Sequence, residues 1–256
     1  MWVADRHRRI QDLLLSHRRL TTEQLAGELG VSRETVRRDL IELERSGWLS
    51  RVHGGAVPSS EAPVEPAYAQ RSQTRMAQKL EIARLGASLV EPGQSCLMDA
   101  GTTTLALARE LAQREGLTIF TNSVDAALLL TRQGGNEVCL LGGRLACELP
   151  ATFGEQTVLE IARLRVDWAL ISPTAFDAAN GAMNYLRSEA AVAAAMLGRA
   201  RRRAMLADAS KLGQVSRIQI CATNEVDVLV TDAEADMALL AGLSEAGVGR
   251  VLKPEV

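Results

Sequence analysis

The sequence predicts an α/β protein in two parts, a small N-terminal winged helix-turn-helix domain followed by a larger, mostly parallel α/β domain. Three observations carry this. Residues 1–57 hold three runs with helical apolar spacing and then two short extended runs around a Gly-Gly pair. Residues 58–75, PSSEAPVEPAYAQRSQTR, are rich in Pro, Ser and polar groups and read as a linker. Residues 76–256 alternate strand-like and helix-like apolar runs, the pattern of a parallel sheet covered on both faces. A chain of 256 residues suits two domains at roughly 100–200 residues each.

In RHRRIQDLLLSHRR, Ile10, Leu13 and Leu14 recur at helical spacing. In TTEQLAGELG, Thr21 and Gln24 fit a capping box, and Leu25, Ala26 and Leu29 form one apolar face. Gly30 can take the left-handed conformation that ends this helix, and Ser32 is a good N-cap for a third helix that Gly47 ends. In that helix Val36, Leu40 and Leu43 fall at i, i+4 and i+7 and point to a core. Glu34, Arg38 and Arg45 then point outward, with Thr35 and Arg37 beside them. Ser32, Arg33 and Thr35 sit in the first turn, where free N–H groups and the positive helix end face whatever lies ahead. Two helices joined by a Gly turn, the second polar at its start, make a helix-turn-helix, and WLSRVHGGAV supplies a β-hairpin wing. A charged helix face alone is more often merely solvated. Order, caps, wing and arginine placement together reverse that weighting.

Beyond the linker, MAQKLEIARLGASLV resumes helical periodicity. SCLMD, LTIFTN, EVCLLGG, VDWALIS, RAMLAD and VDVLVTD read as buried strands; TLALARELAQR, VDAALLLTR, GEQTVLEIARL and SEAAVAAAMLGRARRR read as helices. Ligands bind such sheets at the carboxyl ends of the strands. After SCLM comes DAGTTT, resembling a phosphate cradle: Gly101 allows close backbone approach, and Thr102, Thr103 and Thr104 offer hydroxyls and N–H groups at a helix start. Asn122 and Ser123 follow LTIFT, Gly142 and Gly143 follow EVCLL, and Asp208, Ser210 and Lys211 follow RAMLA. Each has an ordinary reading as a cap, a turn or a surface lysine. Their shared position, and the rarity of lysine, lift them.

Composition excludes several classes. Net charge is −2, and residues 1–57 hold ten Arg against eight acidic groups, too mild an excess to argue nucleic-acid binding alone. All three histidines, His7, His17 and His53, lie in that segment, so the larger part uses no histidine base or metal ligand. Only Lys79, Lys211 and Lys253 stand against 26 arginines. Cys96, Cys139, Cys147 and Cys221 form no C-x-x-C pair, have apolar neighbours and read as buried free thiols. No apolar run reaches the ~20 residues of a membrane span, and MWVADRHRRIQ is no signal peptide. A soluble cytoplasmic protein without cofactor or metal is expected.

R-x-x-I followed by LAGELGVSRETVRRDLIELERSGWLSRVHGGA closely resembles the N-terminal winged helix-turn-helix of the DeoR family of bacterial repressors. From about Tyr68 to Leu252 the chain is similar to that family's effector domain, which shares a fold with ribose-phosphate isomerases, through DAGTTT, TNS, LGGR, EAAVAAAM and DASKLG. The resemblance implies that Thr22, Ser32, Arg33, Thr35, Arg37 and Arg38 face DNA, with His53 in the wing. It implies a sugar-phosphate pocket of Asp99, Gly101, Thr102, Thr103, Asn122, Ser123, Gly142, Glu189, Asp208, Ser210 and Lys211. Two positions depart: Ser172-Pro173 stands where members have a Gly-containing turn, and Ala193 where they have a basic residue. The expectation is a regulator, a repressor of carbohydrate-metabolism genes, that binds operator DNA as a homo-oligomer, dimer or tetramer, under control of a phosphorylated sugar. The competing class is an enzyme, a sugar-phosphate isomerase with an appended DNA-binding domain. It would use Asp99, Glu189 or Asp208 as base and Lys211 to stabilise an enediolate. The lack of a histidine and the sensor-type motifs weigh against it, and no catalytic residue is assigned.

Overall fold

The computed structural model describes residues 3–17, 19–45, 49–52, 54–58, 68–146 and 149–254. The chain divides into two compact units, Met1–Glu65 and Pro66–Val256.

In the first unit, helix α1 (Val3–His17) leads to a short strand β1 (Leu20–Thr21), α2 (Thr22–Leu29) and α3 (Arg33–Arg45). Strands β2 (Leu49–Val52) and β3 (Gly55–Pro58) form the wing, and β1 adds to it in the order β1-β3-β2. The local signals act as the sequence predicts. Thr21 accepts from the Gln24 N–H at 3.1 Å while the Gln24 carboxamide accepts from the Thr21 N–H at 2.9 Å. Gly30 caps α2 at φ 63, and the Ser32 hydroxyl accepts from the Thr35 N–H at 3.1 Å. The expected stop at Gly47 lies outside the described residues. Ile10, Leu14, Leu25, Val36, Leu40 and Leu43 form the core. The strand β1, unforeseen in the sequence, explains Gly55: a Cβ there would meet the Leu20 carbonyl oxygen at 2.2 Å.

The second unit begins with α4 (Tyr68–Arg71) and α5 (Met76–Ser88), so residues 68–75, read as linker, are built into it. The Tyr68 hydroxyl donates to distant Asp125, and the buried Lys79 ammonium donates to the nearby carbonyls of Arg71 and Thr74; polar composition hid these anchors. Then come β4 (Ser95–Met98), α6 (Thr102–Leu111), β5 (Thr118–Thr121), α7 (Val124–Gln133), β6 (Glu137–Leu140), the hairpin β7 (Arg144–Leu145) and β8 (Thr152–Phe153), and α8 (Glu155–Ile161). They are followed by β9 (Val166–Ile171), β10 (Ala175–Asp177), β11 (Gly181–Asn184), α9 (Arg187–Leu197), β12 (Ala200–Leu206), β13 (Ile218–Cys221), β14 (Val228–Val230), α10 (Met237–Glu245) and β15 (Arg250–Leu252).

Seven strands make one parallel sheet in the order β15-β14-β12-β9-β4-β5-β6, and β10-β11-β13 make a small antiparallel sheet. Alternation along each strand feeds two cores. Cys96 and Met98 pack with Ile82, Leu107 and Leu130 of α5, α6 and α7; Leu97 packs with Ile161, Met196 and Leu240 of α8, α9 and α10. The six strands read from sequence are all in the sheet. One helix ends early: α9 stops at Leu197, and Ala200–Arg203, read as its tail, belong to β12, where they pair with β9. Long-range pairing and the Arg202 guanidinium over the Trp168 ring at 5.2 Å outweigh helix propensity there. Cys96 and Cys221 are buried, but Cys139 is exposed on the edge strand β6, against expectation. No described helix is long and apolar enough to cross a membrane.

Candidate functional site

The sheet order sets where a ligand can bind. From β4 the chain runs outward to β5 and β6, then returns to β9 on the other side of β4 and continues to β12, β14 and β15. The reversal lies between β4 and β9, and crevices at such switch points are where open parallel sheets hold ligands. Asp99 ends β4 and Ser172 ends β9, so both flank that point. Their neighbours at the strand ends are Asn122 after β5, Gly142 after β6, Asp208 after β12 and Asp232 after β14.

Asp99, Ser172 and Lys211 form the centre. The Ser172 N–H donates to both Asp99 carboxylate oxygens at 3.2 and 3.1 Å. Lys211 donates to the Ser172 hydroxyl at 3.2 Å and to the Pro173 carbonyl at 2.8 Å. Burial pushes the Asp99 carboxyl up to about 7; the Ser172 N–H and the Lys211 charge pull the other way, and Glu189, in the first turn of α9, adds to the rise. Gly101 caps α6 in extended backbone, with a would-be Cβ 3.8 Å from the Ser172 Cβ. No side chain caps α6, so the N–H groups of Thr102, Thr103 and Thr104 stand at a positive helix end beside Asp99. The Thr103 hydroxyl is buried without a hydrogen-bond partner among the described residues, and so is the side-chain carboxamide oxygen of Asn122. Polar atoms left so are ordinarily satisfied by something, ligand or water.

A second cluster adjoins Lys211. The Asp208 carboxylate accepts from the N–H and hydroxyl of Ser210 and lies 3.0 Å from the Arg75 guanidinium, which also reaches Asp232 at 3.8 Å and Glu234 at 2.7 Å. Arg75 has φ 50, the one non-glycine left-handed residue among those described. Strain of this kind persists where surroundings over-determine it. Asp232 is wholly buried and accepts from the Ala209 and Glu234 N–H groups. Lys79 lies near Lys211 and Asp208: burial, then the Lys211 charge, lower it to about 8, while Asp208 opposes the fall.

The other candidates are engaged within the fold. Ser123 caps α7 by accepting from the Ala126 N–H at 3.2 Å, and the Asn122 amide donates to the Thr152 carbonyl at 3.0 Å. The Gly142 N–H donates to the Glu160 carboxylate at 2.7 Å, its carbonyl accepts from the Thr157 hydroxyl at 2.7 Å, and Gly143 sits at φ 141 with no room for a Cβ. The ordinary readings of Ser123, Gly142 and Gly143, as cap and turn, describe these bonds. The structure thus groups Asp99, Gly101, Thr102, Thr103, Thr104, Glu189 and Lys211 at the switch point, with Asp208 and Ser210 beside Lys211. Ser172, Arg75, Lys79 and Asp232 were missed as site residues. Asp232 ends an apolar strand as Asp99 does, so the same rule finds it. Arg75 and Lys79 arrive from a distant helix and leave no local signal.

In the first unit, the opening turn of α3 is open to solvent. Ser32, Arg33, Arg37 and Arg38 are exposed, and Thr22 and Thr35 half-buried. Arg33 pairs with Glu23, and Glu34 lies 3.8 Å from both Arg37 and Arg38. These exposed pairs contribute little to stability. Behind them, buried Asp39 accepts from Arg6 at 2.7 and 2.8 Å and from His7 at 3.1 Å, which locks α1 to α3. His53 lies outside the described residues.

Residues 6–62 match the family described as DeoR-like helix-turn-helix domain, and residues 74–233 the one described as DeoR C terminal sensor domain. This chain belongs to the DeoR family. It is therefore a DNA-binding transcriptional regulator. Among DeoR-type relatives, it is 35% identical to the HTH-type transcriptional repressor GlcR of Bacillus subtilis, over 97% of this chain and 95% of that one. It is 34% identical to the HTH-type transcriptional regulator GlpR of Haloferax volcanii, over 97% of each. It is also 34% identical to the glycerol-3-phosphate regulon repressor of Haemophilus influenzae, over 88% of each.

Proposed function

We propose that this DeoR-family protein is a repressor of carbohydrate-metabolism genes whose operator binding is modulated by a phosphorylated sugar. In this reading residues 1–57 hold the operator and residues 76–256 sense the sugar, in the cytoplasm. One observation supports it above the rest: at the switch point of the sheet, an uncapped helix end and the Lys211 ammonium stand beside a carboxyl and buried, unpartnered polar oxygens. Helix N–H groups and a lysine suit a phosphate, and the oxygens suit sugar hydroxyls. Thr102, Thr103 and Thr104 would hold the phosphate, and Asp99, Asn122 and Glu189 the hydroxyls. At the other unit, Ser32, Arg33, Thr35, Arg37 and Arg38 would meet DNA, with Thr22 and His53 near its backbone. The relative named for a glycerol-3-phosphate regulon supports the chemical class.

The test is a thermal-shift screen of phosphorylated sugars, since a ligand at ~100 times its Kd adds about 2.7 kcal/mol. The hit should lose its effect in Thr102→Glu, which sets a like charge in the cradle. If no sugar phosphate stabilises the protein, or the variant responds in full, the reading fails. A second reading, isomerisation, draws on Asp99 being held near neutrality, where a base that abstracts a proton works best. Solvent-deuterium exchange into the hit ligand discriminates; the sensor reading expects none.

A further inference from the structure

The large sheet ends on β6, and beyond it no described strand pairs. Strands of parallel sheets are normally covered on both faces. Here Glu137, Cys139 and Leu140 are all exposed, Leu140 to 43%. Bare edges are ordinarily blunted by proline, charge or a bulge. Apart from exposed Glu137 at its start, the strand carries none of these.

The backbone decides what can cover it. The N–H groups of Glu137 and Leu141 donate inward, to the carbonyls of Leu117 and Thr121, each at 2.8 Å. Alternation turns Cys139 the same way and leaves the N–H and C=O groups of Val138 and Leu140 facing outward. Hydrogen-bonded and non-bonded pairs alternate in an antiparallel ladder, so a twofold axis through one must set a residue opposite itself. An axis at Glu137 or Val138 would recruit Asn136, which lies in the bend after Gly134 and Gly135, at φ 71 and 84. An axis at Leu140 would set Val138 against Gly142, whose N–H and C=O are already bonded to Glu160 and Thr157. An axis at Cys139 sets Val138 opposite Leu140 of the second copy, twice, using only outward groups with no partner strand among the described residues.

We propose that two copies of this chain pair edge to edge through β6, antiparallel about a twofold axis at Cys139, joining their two sheets into one. The occupant is a second copy because, in this register, the outward N–H and C=O groups of Val138 and Leu140 complement themselves. Nothing in this depends on the sugar-phosphate reading, and the test uses neither sugar nor DNA.

The full chain carrying Cys147→Ser is examined by sedimentation and by mild oxidation. A dimer linked through Cys139 is expected, because facing residues of a non-bonded antiparallel pair bring their Cα atoms within about 4.5 Å. With Cys139→Ser, neither Leu140→Cys nor Val138→Cys alone should link to itself, whereas the two mixed should link to each other. Leu140→Pro removes an outward N–H at an edge position that tolerates proline, and should weaken self-association roughly tenfold or more. Cys139→Arg sets like charges face to face on the axis and carries the same expectation without changing the backbone. A monomeric chain overturns the proposal. So does a dimer indifferent to both substitutions, or Leu140→Cys linking to itself.

Discussion

Asp99 is a carboxyl held far from its ordinary state. Burial raises it from 3.8 to about 7, against the pull of the Ser172 N–H and Lys211. The folded value exceeds the unfolded one, so its stabilising contribution is full below about pH 4 and is lost as pH rises through 7. The larger unit should therefore lose stability between about pH 4 and 7, and Asp99→Asn should flatten that slope. Chemical denaturation at several pH values measures it; an unchanged slope in the variant assigns the effect to another group. Lys211 is the companion prediction. Lys211→Ala should leave operator affinity without ligand nearly unchanged and remove most of the sugar-dependent shift, read by anisotropy with and without the stabilising sugar phosphate. Loss of ligand-free binding would make Lys211 structural instead. At the other unit, Arg38→Ala should weaken specific operator binding by roughly 1–3 kcal/mol if the guanidinium reads a base. If it touches phosphate, the loss is uniform across sequences and the salt slope shrinks; no change in either quantity removes α3 from the groove.

Elements in the first unit are held by one polar clamp. Asp39 projects from α3 into Arg6 and His7 of α1. Burial opposes its charge, but the Arg6 and His7 contacts outweigh burial and hold it below the usual carboxylate range. That stability is present above the ordinary carboxylate pKa and is lost as pH falls through the lowered one. Asp39→Ala leaves Arg6 without its partner and should cost about 3 kcal/mol, in the range for breaking a largely buried pair. Urea denaturation checks it. A loss below ~1 kcal/mol would make the pair no more than an exposed one.

Across the whole molecule, each unit buries its own core: the cluster around Ile10, Leu25 and Val36 is separate from the two that flank the large sheet. Calorimetry is expected to resolve two transitions. Asp39→Ala should lower one, and the stabilising sugar phosphate should raise the other. If both perturbations move a single transition, the units unfold as one.

The first unit was legible almost entirely, because caps, turn glycines and the spacing of Val36, Leu40 and Leu43 are local. Each signal spans no more than a few residues, and each that falls on described residues appears where it was read. The inner strands of the large sheet were legible for a related reason: strands covered on both faces must be apolar throughout, and that shows as an unbroken run; β6, read as buried, is a strand but an exposed edge. Tertiary structure alone decided the rest. β1, β13 and β15 are two to four residues long and exist through partners twenty or more residues away, and β10 forms only as a hairpin on β11, which β13 holds. The Ala200–Arg203 segment is a strand because β9 lies beside it. Ser172, Arg75 and Lys79 join Asp99 and Asp208 only when strand order brings the ends of β4, β9 and β12 together. Residue type and spacing can name groups able to hold an anion. Which of them share one crevice is set by sheet order, a property of distant pairings that no short window contains.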